Sequence, residues 1–156
     1  MKKRRNQNET SESGFTFVET LAVLAIGALL SAGVGISALK ALDQAKTVSA
    51  KQTIAQYKAA LQSYYLDCGV FPTEQQGLSA LWQKPVLVPV PEGWSGPYID
   101  RCVQQYPWGK AYTYAPDGSV GYPGAAPAGL AYVIYSFGAD GIEGGNGKNE
   151  DICSWK

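Results

Sequence analysis

Between Phe15 and Asp67 the chain carries no proline, and that fact dominates what it can fold into. The first part of this stretch, Phe15 to Leu39, is almost wholly apolar or small, with Glu19 and a few Ser and Thr as exceptions. About 20 consecutive apolar residues span the hydrocarbon core of a bilayer, so the run is long enough to cross one. The second part, "KALDQAKTVSAKQTIAQYKAALQSYYLD", is amphipathic. Ile54, Tyr57, Leu61 and Tyr64 are spaced by three, four and three, which puts them on one helical face. The pattern predicts one helix of roughly 50 residues, its first half in lipid and its second half packed on a soluble domain.

The flanks fix the ends of that helix. Residues 1–14, "MKKRRNQNETSESG", hold Lys2, Lys3, Arg4 and Arg5, and no apolar residue follows Met1. By the positive-inside rule this end stays in the cytoplasm. Ala32-Gly33-Val34-Gly35 has the small-residue character of a signal-peptidase site. The apolar run is too long for an ordinary signal, however, and the helical pattern continues past it. At the other end, Gly69 after Asp67-Cys68 suits a helix C-cap, with Pro72 just beyond.

Past residue 68 the chain turns rich in Gly and Pro, which predicts short strands and loops. Thr73-Glu74-Gln75-Gln76 reads as an N-cap with Gln at the third position, opening a short helix over "EQQGLSALWQ". Residues 85–109 form an irregular connector, with Trp94, Tyr98 and Trp108 as packing anchors. Ala111–Tyr114, Gly129–Ser136 and Ile152–Trp155 read as strands, the first followed by a Pro116-Asp117-Gly118 turn. A Gly-rich loop, "GADGIEGGNGKNED", separates the last two.

Several function classes are excluded by what is missing. The chain has no His, which removes the commonest general base and metal ligand. No Ser or Cys has a visible base partner, and no G-x-x-x-x-G-K phosphate loop exists. Formal net charge is zero, which gives no electrostatic basis for nucleic-acid binding. The 10 Tyr and 4 Trp read as core plugs and interface anchors. In the Gly-rich loop, Asp140 and the Glu150-Asp151 pair bracket "IEGGNGKN". Calcium takes six to eight oxygens from carboxylates and carbonyls. The spacing does not fit an EF-hand, so on residues alone both a metal loop and a plain turn stand open.

The segment "SGFTFVETL" resembles the leader junction of type IV pilins and pseudopilins: a basic leader, a Gly, then Phe, then Glu five residues into the mature chain. "YYLDCGVFPTEQQGLSAL", "GWSGPYID…YPWGKAYTY" and "YSFGADGIEGGNGKNEDICSW", in that order, look like the type II secretion major pseudopilin family, also called general secretion pathway protein G. The resemblance runs from Gly14 nearly to the end of the chain. It implies an α+β pilin-like fold, in which a long N-terminal helix packs on a small antiparallel three-stranded sheet with a calcium loop. The chain then divides into a leader at 1–14, a transmembrane and filament-core helix at 15–39, and a periplasmic domain at 40–156 that includes the rest of the helix.

The resemblance also implies a life history. Prepilin peptidase cuts between Gly14 and Phe15, leaving 156 − 14 = 142 residues and an N-methylated Phe15. Glu19 then pairs with the Phe15 amine of a neighbouring subunit. A carboxylate facing lipid is costly and tends to find a partner; the competing account is an acid that reaches the interface. The product is a homopolymer, a non-enzymatic filament joined by minor pseudopilins on an inner-membrane assembly platform and driven by a cytoplasmic ATPase. Many members carry Pro where this chain has Ile36, with Gly33 and Gly35 nearby. These glycines either permit local melting or allow close helix packing.

By the same resemblance the Gly-rich loop binds structural Ca2+. Asp140 and Asp151 supply side-chain oxygens, Phe137 and Ile142 supply carbonyls, and Glu150 is a ligand or a solvated neighbour. The family pattern does not call for Cys68, Cys102 or Cys153. In a three-stranded antiparallel sheet the first and third strands run the same way, which favours a Cys102–Cys153 disulfide in an oxidising periplasm. Cys68–Cys102 and unpaired thiols are the alternatives. The rival functions are a type IV or DNA-uptake pilin, and a monomeric membrane-anchored calcium-binding protein.

Overall fold

The computed structural model describes residues 14–117, 126–127 and 129–156, and gives no side chains at positions 32, 33 and 36. The basic leader cluster, and Gly118 of the expected turn, lie outside the described residues. The chain divides into two units, residues 1–40 and 41–156. One helix, α1 (Phe17–Cys68, 52 residues), runs through both.

The described part of the first unit is the N-terminal portion of α1. Thr16 starts it: its hydroxyl accepts the Glu19 backbone N–H at 3.3 Å, and its carbonyl accepts the Thr20 N–H at 3.1 Å. This satisfies two of the donors that every helix start leaves open. Phe17, Val18, Leu21, Leu24, Leu29 and Leu30 are all exposed, so among the described residues this apolar surface is left uncovered. Among the described residues no helix is long and apolar enough to cross a membrane. The transmembrane half expected over 15–39 therefore rests on the amino-acid sequence.

In the second unit α1 ends as the sequence predicts. Gly69 takes a left-handed φ of +71°, and its N–H returns to the Tyr65 carbonyl at 2.8 Å. Glycine adopts that conformation without the steric penalty of a Cβ. The buried helix face is Ala50, Ile54, Tyr57, Leu61 and Tyr64, spaced four, three, four and three. It packs on Leu78 and Leu81 of a 3-10 turn, η1 (Gly77–Leu81), and on Tyr106, Tyr112, Tyr114, Ile134 and Ile152. The short helix expected over 74–83 is thus only this tighter turn, and it starts at Gly77, after a turn over 74–76 that Thr73 and Gln76 close between them. Thr73 N–H donates to Gln76 Oε1 at 3.0 Å, and Gln76 N–H donates to Thr73 Oγ1 at 3.3 Å, a reciprocal cap.

Three antiparallel strands form the sheet in the order β1 (Thr113–Pro116), β2 (Tyr132–Ser136), β3 (Ile152–Cys153). Strands β2 and β3 are shorter than the sequence suggested, and β1 has the expected four residues but lies two positions later. The expected Ala111 start is instead an isolated bridge to Gln105. Strand β2 alternates as a two-sided strand must: Ile134 faces the α1 core, while Val133 and Tyr135 join a second cluster with Ala115 and Cys153. Two of the core tyrosines, Tyr57 and Tyr114, have hydrogen-bonded tips. Tyr114 Oη donates to the Pro72 carbonyl at 2.8 Å, and Tyr57 Oη accepts the Gln104 N–H at 3.0 Å. Lys58 crosses from α1 to the C-terminus, donating to the Ser154 carbonyl at 2.7 Å.

The expected Cys102–Cys153 disulfide is not formed, and neither is Cys68–Cys102. The surroundings of the two thiols give the reason. Tyr135 of β2 pairs with both Thr113 and Cys153, so Cys153 lies level with Thr113. Cys102 precedes Thr113 by 113 − 102 = 11 residues and sits exposed in the connector, while Cys153 is buried against Tyr135. Running in the same direction puts β1 and β3 in step, but Cys102 is exposed in the connector and Cys153 is buried in the cluster with Ala115, Val133 and Tyr135.

Candidate functional site

Two segments carry the functional expectations, the start of α1 and the loop between β2 and β3. At the first, Gly14 and Phe15 are exposed and non-helical, immediately before the helix begins. Phe15 is 74% exposed. A peptidase needs an accessible bond outside regular structure, and Gly14–Phe15 is exposed and precedes the helix. Glu19 is exposed in the first turn of α1. An acid there opposes the positive end of the helix dipole, which stabilises the helix start. Thr16 and Glu19 hold the Ncap and N3 positions of a T-x-x-E capping box, so Glu19 has a structural use besides any intersubunit partner. The signal for it in the sequence is local, the four residues "TFVE".

The C-terminal loop is pinned at several points. Phe137 is half-buried, and its carbonyl accepts the Gly141 N–H at 2.9 Å. Ala139 N–H donates to the Lys148 carbonyl at 2.9 Å. A Cβ on Gly138 would lie 2.7 Å from the Asn149 carbonyl oxygen, and one on Gly145 would lie 2.6 Å from the same atom. Both arms of the loop therefore close on Asn149, and glycine is needed where they meet. A short 3-10 turn, η2 (Gly147–Asn149), leads into β3.

The expected ligand residues sit differently within this frame. Asp151 is buried, 5% exposed, and its Oδ2 accepts the Gly144 N–H at 2.8 Å. Asp140 is exposed; its Oδ1 accepts the Ile142 N–H at 3.1 Å. Ile142 and Glu150 are exposed. Glu150 lines a hollow that also involves Asp43, Thr47, Lys51 and Lys148. Among the described residues no three Asp, Glu, Cys or His side chains gather into a metal cluster. An ion in this loop would thus take no more than two side-chain carboxylates, with backbone carbonyls completing its shell.

One observation tests whether a cation suits the loop. The Lys110 ammonium donates to the Asp140 carbonyl at 3.2 Å, so a positive group already rests on a loop oxygen. The donor set is all hard oxygen, which fits calcium chemistry. Lys110 carried no visible sequence signal, because it is an isolated Lys 30 residues from its partner.

The family profile for type II secretion system (T2SS), protein G matches residues 37–155. The chain belongs to the type II secretion protein G family. A second profile, the prokaryotic N-terminal methylation motif, matches residues 10–35, across the leader junction. The type II secretion system core protein G of Pseudomonas aeruginosa is 38% identical, over 92% of this chain and 95% of its own. That of Vibrio cholerae is 36% identical, over 99% and 96% respectively. A crystal structure of the major pseudopilin from the type 2 secretion system of enterohaemorrhagic Escherichia coli superposes with a TM-score of 0.57 at 29% identity. It covers 75% of this chain and 92% of that one. Members of the family are structural pseudopilins, so the chain is a subunit of the pseudopilus and not an enzyme. The α+β pilin-like fold is the family's own.

Proposed function

We propose that this chain polymerises into a periplasmic pseudopilus that drives folded proteins across the outer membrane. The observation that carries this reading is the pairing of two parts in one chain: a methylation-motif N-terminus and a protein G domain. The exposed apolar side chains of the first unit supply the surface on which helices of neighbouring subunits pack. A head-to-tail contact that does not close on itself yields a fibre. Before assembly, residues 15–39 anchor the chain in the inner membrane, with the N-terminus cytoplasmic and residues 40–156 periplasmic. Prepilin peptidase removes residues 1–14 and Phe15 is methylated. Minor pseudopilins and the inner-membrane platform complete the machine.

Glu19 is proposed to pair with the α-amine that cleavage creates on a neighbouring Phe15. Gln at the same position keeps a capping side chain and loses the charge, so it separates the two roles of Glu19. Glu19→Gln is expected to abolish filaments in cells while leaving α1 intact by circular dichroism. Normal filaments in that variant would leave only the capping role.

The β2–β3 loop is proposed to hold a structural Ca2+. Asp140 and Asp151 would be its side-chain ligands, and Phe137 and Ile142 would offer carbonyls. An ion there would tie β3 to the sheet and stabilise the domain by linkage. Thermal unfolding in calcium and again in excess chelator tests it. A fall in Tm reversed by calcium but not by magnesium supports the ion; equal Tm values show that the loop is only a turn.

A further inference from the structure

We propose that Lys110 is a tethered cation for the β2–β3 loop. Its ammonium holds the Asp140–Gly141 corner in the metal-free protein, and a divalent ion in the loop competes with it. The second half rests on the calcium reading above; the first does not.

Lys110 stands on a rigid base. Tyr106 N–H donates to the Lys110 carbonyl and Gly109 N–H donates to the Tyr106 carbonyl, each at 2.8 Å, closing a tight hairpin before β1. Tyr106 is 3% exposed and belongs to the main core, so the hairpin cannot drift. Burial pushes the Tyr106 hydroxyl up, Ser136 beside it pulls it down, and the Asp140 carboxylate pushes it up again. The hairpin and the loop are thus electrostatic neighbours at two residues.

From this base the Lys110 side chain lies across Gly141. A Cβ on Gly141 would fall 1.6 Å from Nζ and 2.8 Å from Cε. Gly141 also has a φ of +71°, which favours glycine there, while the Lys110 tip is a flexible side-chain end that could move aside. The loop is acidic at both ends: Lys51 and Lys58 line a hollow with Glu150 and Asp151, and Lys110 is the ammonium at the Asp140 end. Residues 138–151 hold Asp140, Glu143, Glu150 and Asp151 against Lys148 alone, a formal charge of −4 + 1 = −3. Compact like charge resists folding unless a counter-charge enters. Lys110 brings that charge from a different part of the fold. A divalent ion placed among the same oxygens would feel an ammonium already in contact with one of them, and like charges at short range repel.

The test uses the full chain in detergent micelles, with Lys110→Met (charge removed), Lys110→Gln as a second neutral variant, and Lys110→Arg (charge kept). Circular dichroism confirms folding. Hydrogen exchange of the Gly141 and Gly144 amides is read in chelator, followed by calorimetric titration with CaCl2. In chelator, both neutral variants should exchange at these amides about three times faster or more, and Arg should restore protection. In 0.5 M NaCl the difference should shrink, because an exposed contact is screened. Calcium should bind the neutral variants about three- to tenfold more tightly than the parent. Unchanged exchange in chelator overturns the tether. Equal calcium affinities overturn the competition. Failure of CaCl2 to bind any of the proteins removes the calcium reading and the competition with it, and leaves the tether to be decided by the exchange data.

Discussion

Gln76 offers the sharpest test of how the second unit is held together. It is 5% exposed, and its amide is used at both ends. Oε1 accepts the Thr73 N–H at 3.0 Å, while Nε2 donates to the Leu87 and Pro89 carbonyls at 2.8 Å each. One side chain therefore closes the turn before η1 and fastens the apolar loop that exposes Val86 and Val88. Gln76→Ala removes three hydrogen bonds worth about 1 kcal/mol net apiece. Water can replace the partner of the exposed Leu87, so the expected loss is about 2–3 kcal/mol. For a unit of 156 − 40 = 116 residues, that is a fall of about 10 °C in Tm. Gln76→Glu should be worse, because a carboxylate would face two carbonyls with no proton to offer. The control is Gln75→Ala, at an exposed position, which should stay within about 0.5 kcal/mol. The assay is chemical denaturation of residues 41–156 followed by tyrosine and tryptophan fluorescence. A loss below about 1 kcal/mol for Gln76→Ala would refute the reasoning, since the three bonds would then contribute no more than one.

Leu61→Ala, at a fully buried position facing the sheet, should cost about 2–5 kcal/mol in the same assay. Alkaline pH should destabilise the domain. Burial raises Tyr64 and Tyr112 to about 12, and raises Tyr114 further in the same direction. The unfolded chain then ionises first, near the ordinary tyrosine value of about 10. Stability is full below that pH and falls as pH rises toward 12, which denaturant midpoints at a series of pH values will show. Acid acts at another point. Hydrogen bonds from Ser95 and Tyr98 lower the Asp67 carboxyl, so this contact is kept above the normal Asp range and lost as pH falls through it. Tyr98→Phe should weaken that acid dependence, read as the shift of the low-pH unfolding midpoint.

What the sequence made legible follows from the physics of each element. The long helix was readable because a proline-free run with a three-four spacing admits few other folds, and its Gly69 stop uses glycine's tolerance of positive φ. The cap at Thr73 was readable because T-x-x-Q is local. The strands were found with displaced bounds: β1 starts two residues later because Ala111 pairs with Gln105 across the hairpin, and β2 and β3 pair over fewer residues than their apolar runs suggest. The disulfide was not legible, because the exposure of Cys102 and the burial of Cys153 depend on tertiary packing and not on strand direction. In the loop, Asp140 and Asp151 were visible as acids. Lys110 was not, because its contact with Asp140 joins segments 30 residues apart and leaves no spacing pattern. The capping role of Glu19 was within reach of a local motif.

The central claim is that this chain works as a subunit of the type II secretion filament. The most direct measurement is deletion of its gene in the native host, with extracellular type II substrates and twitching motility assayed side by side. The account predicts that secretion is lost, twitching is kept, and the full-length gene restores secretion while a Glu19→Gln copy does not. Retained secretion together with lost twitching would contradict it and assign the chain to a type IV pilus.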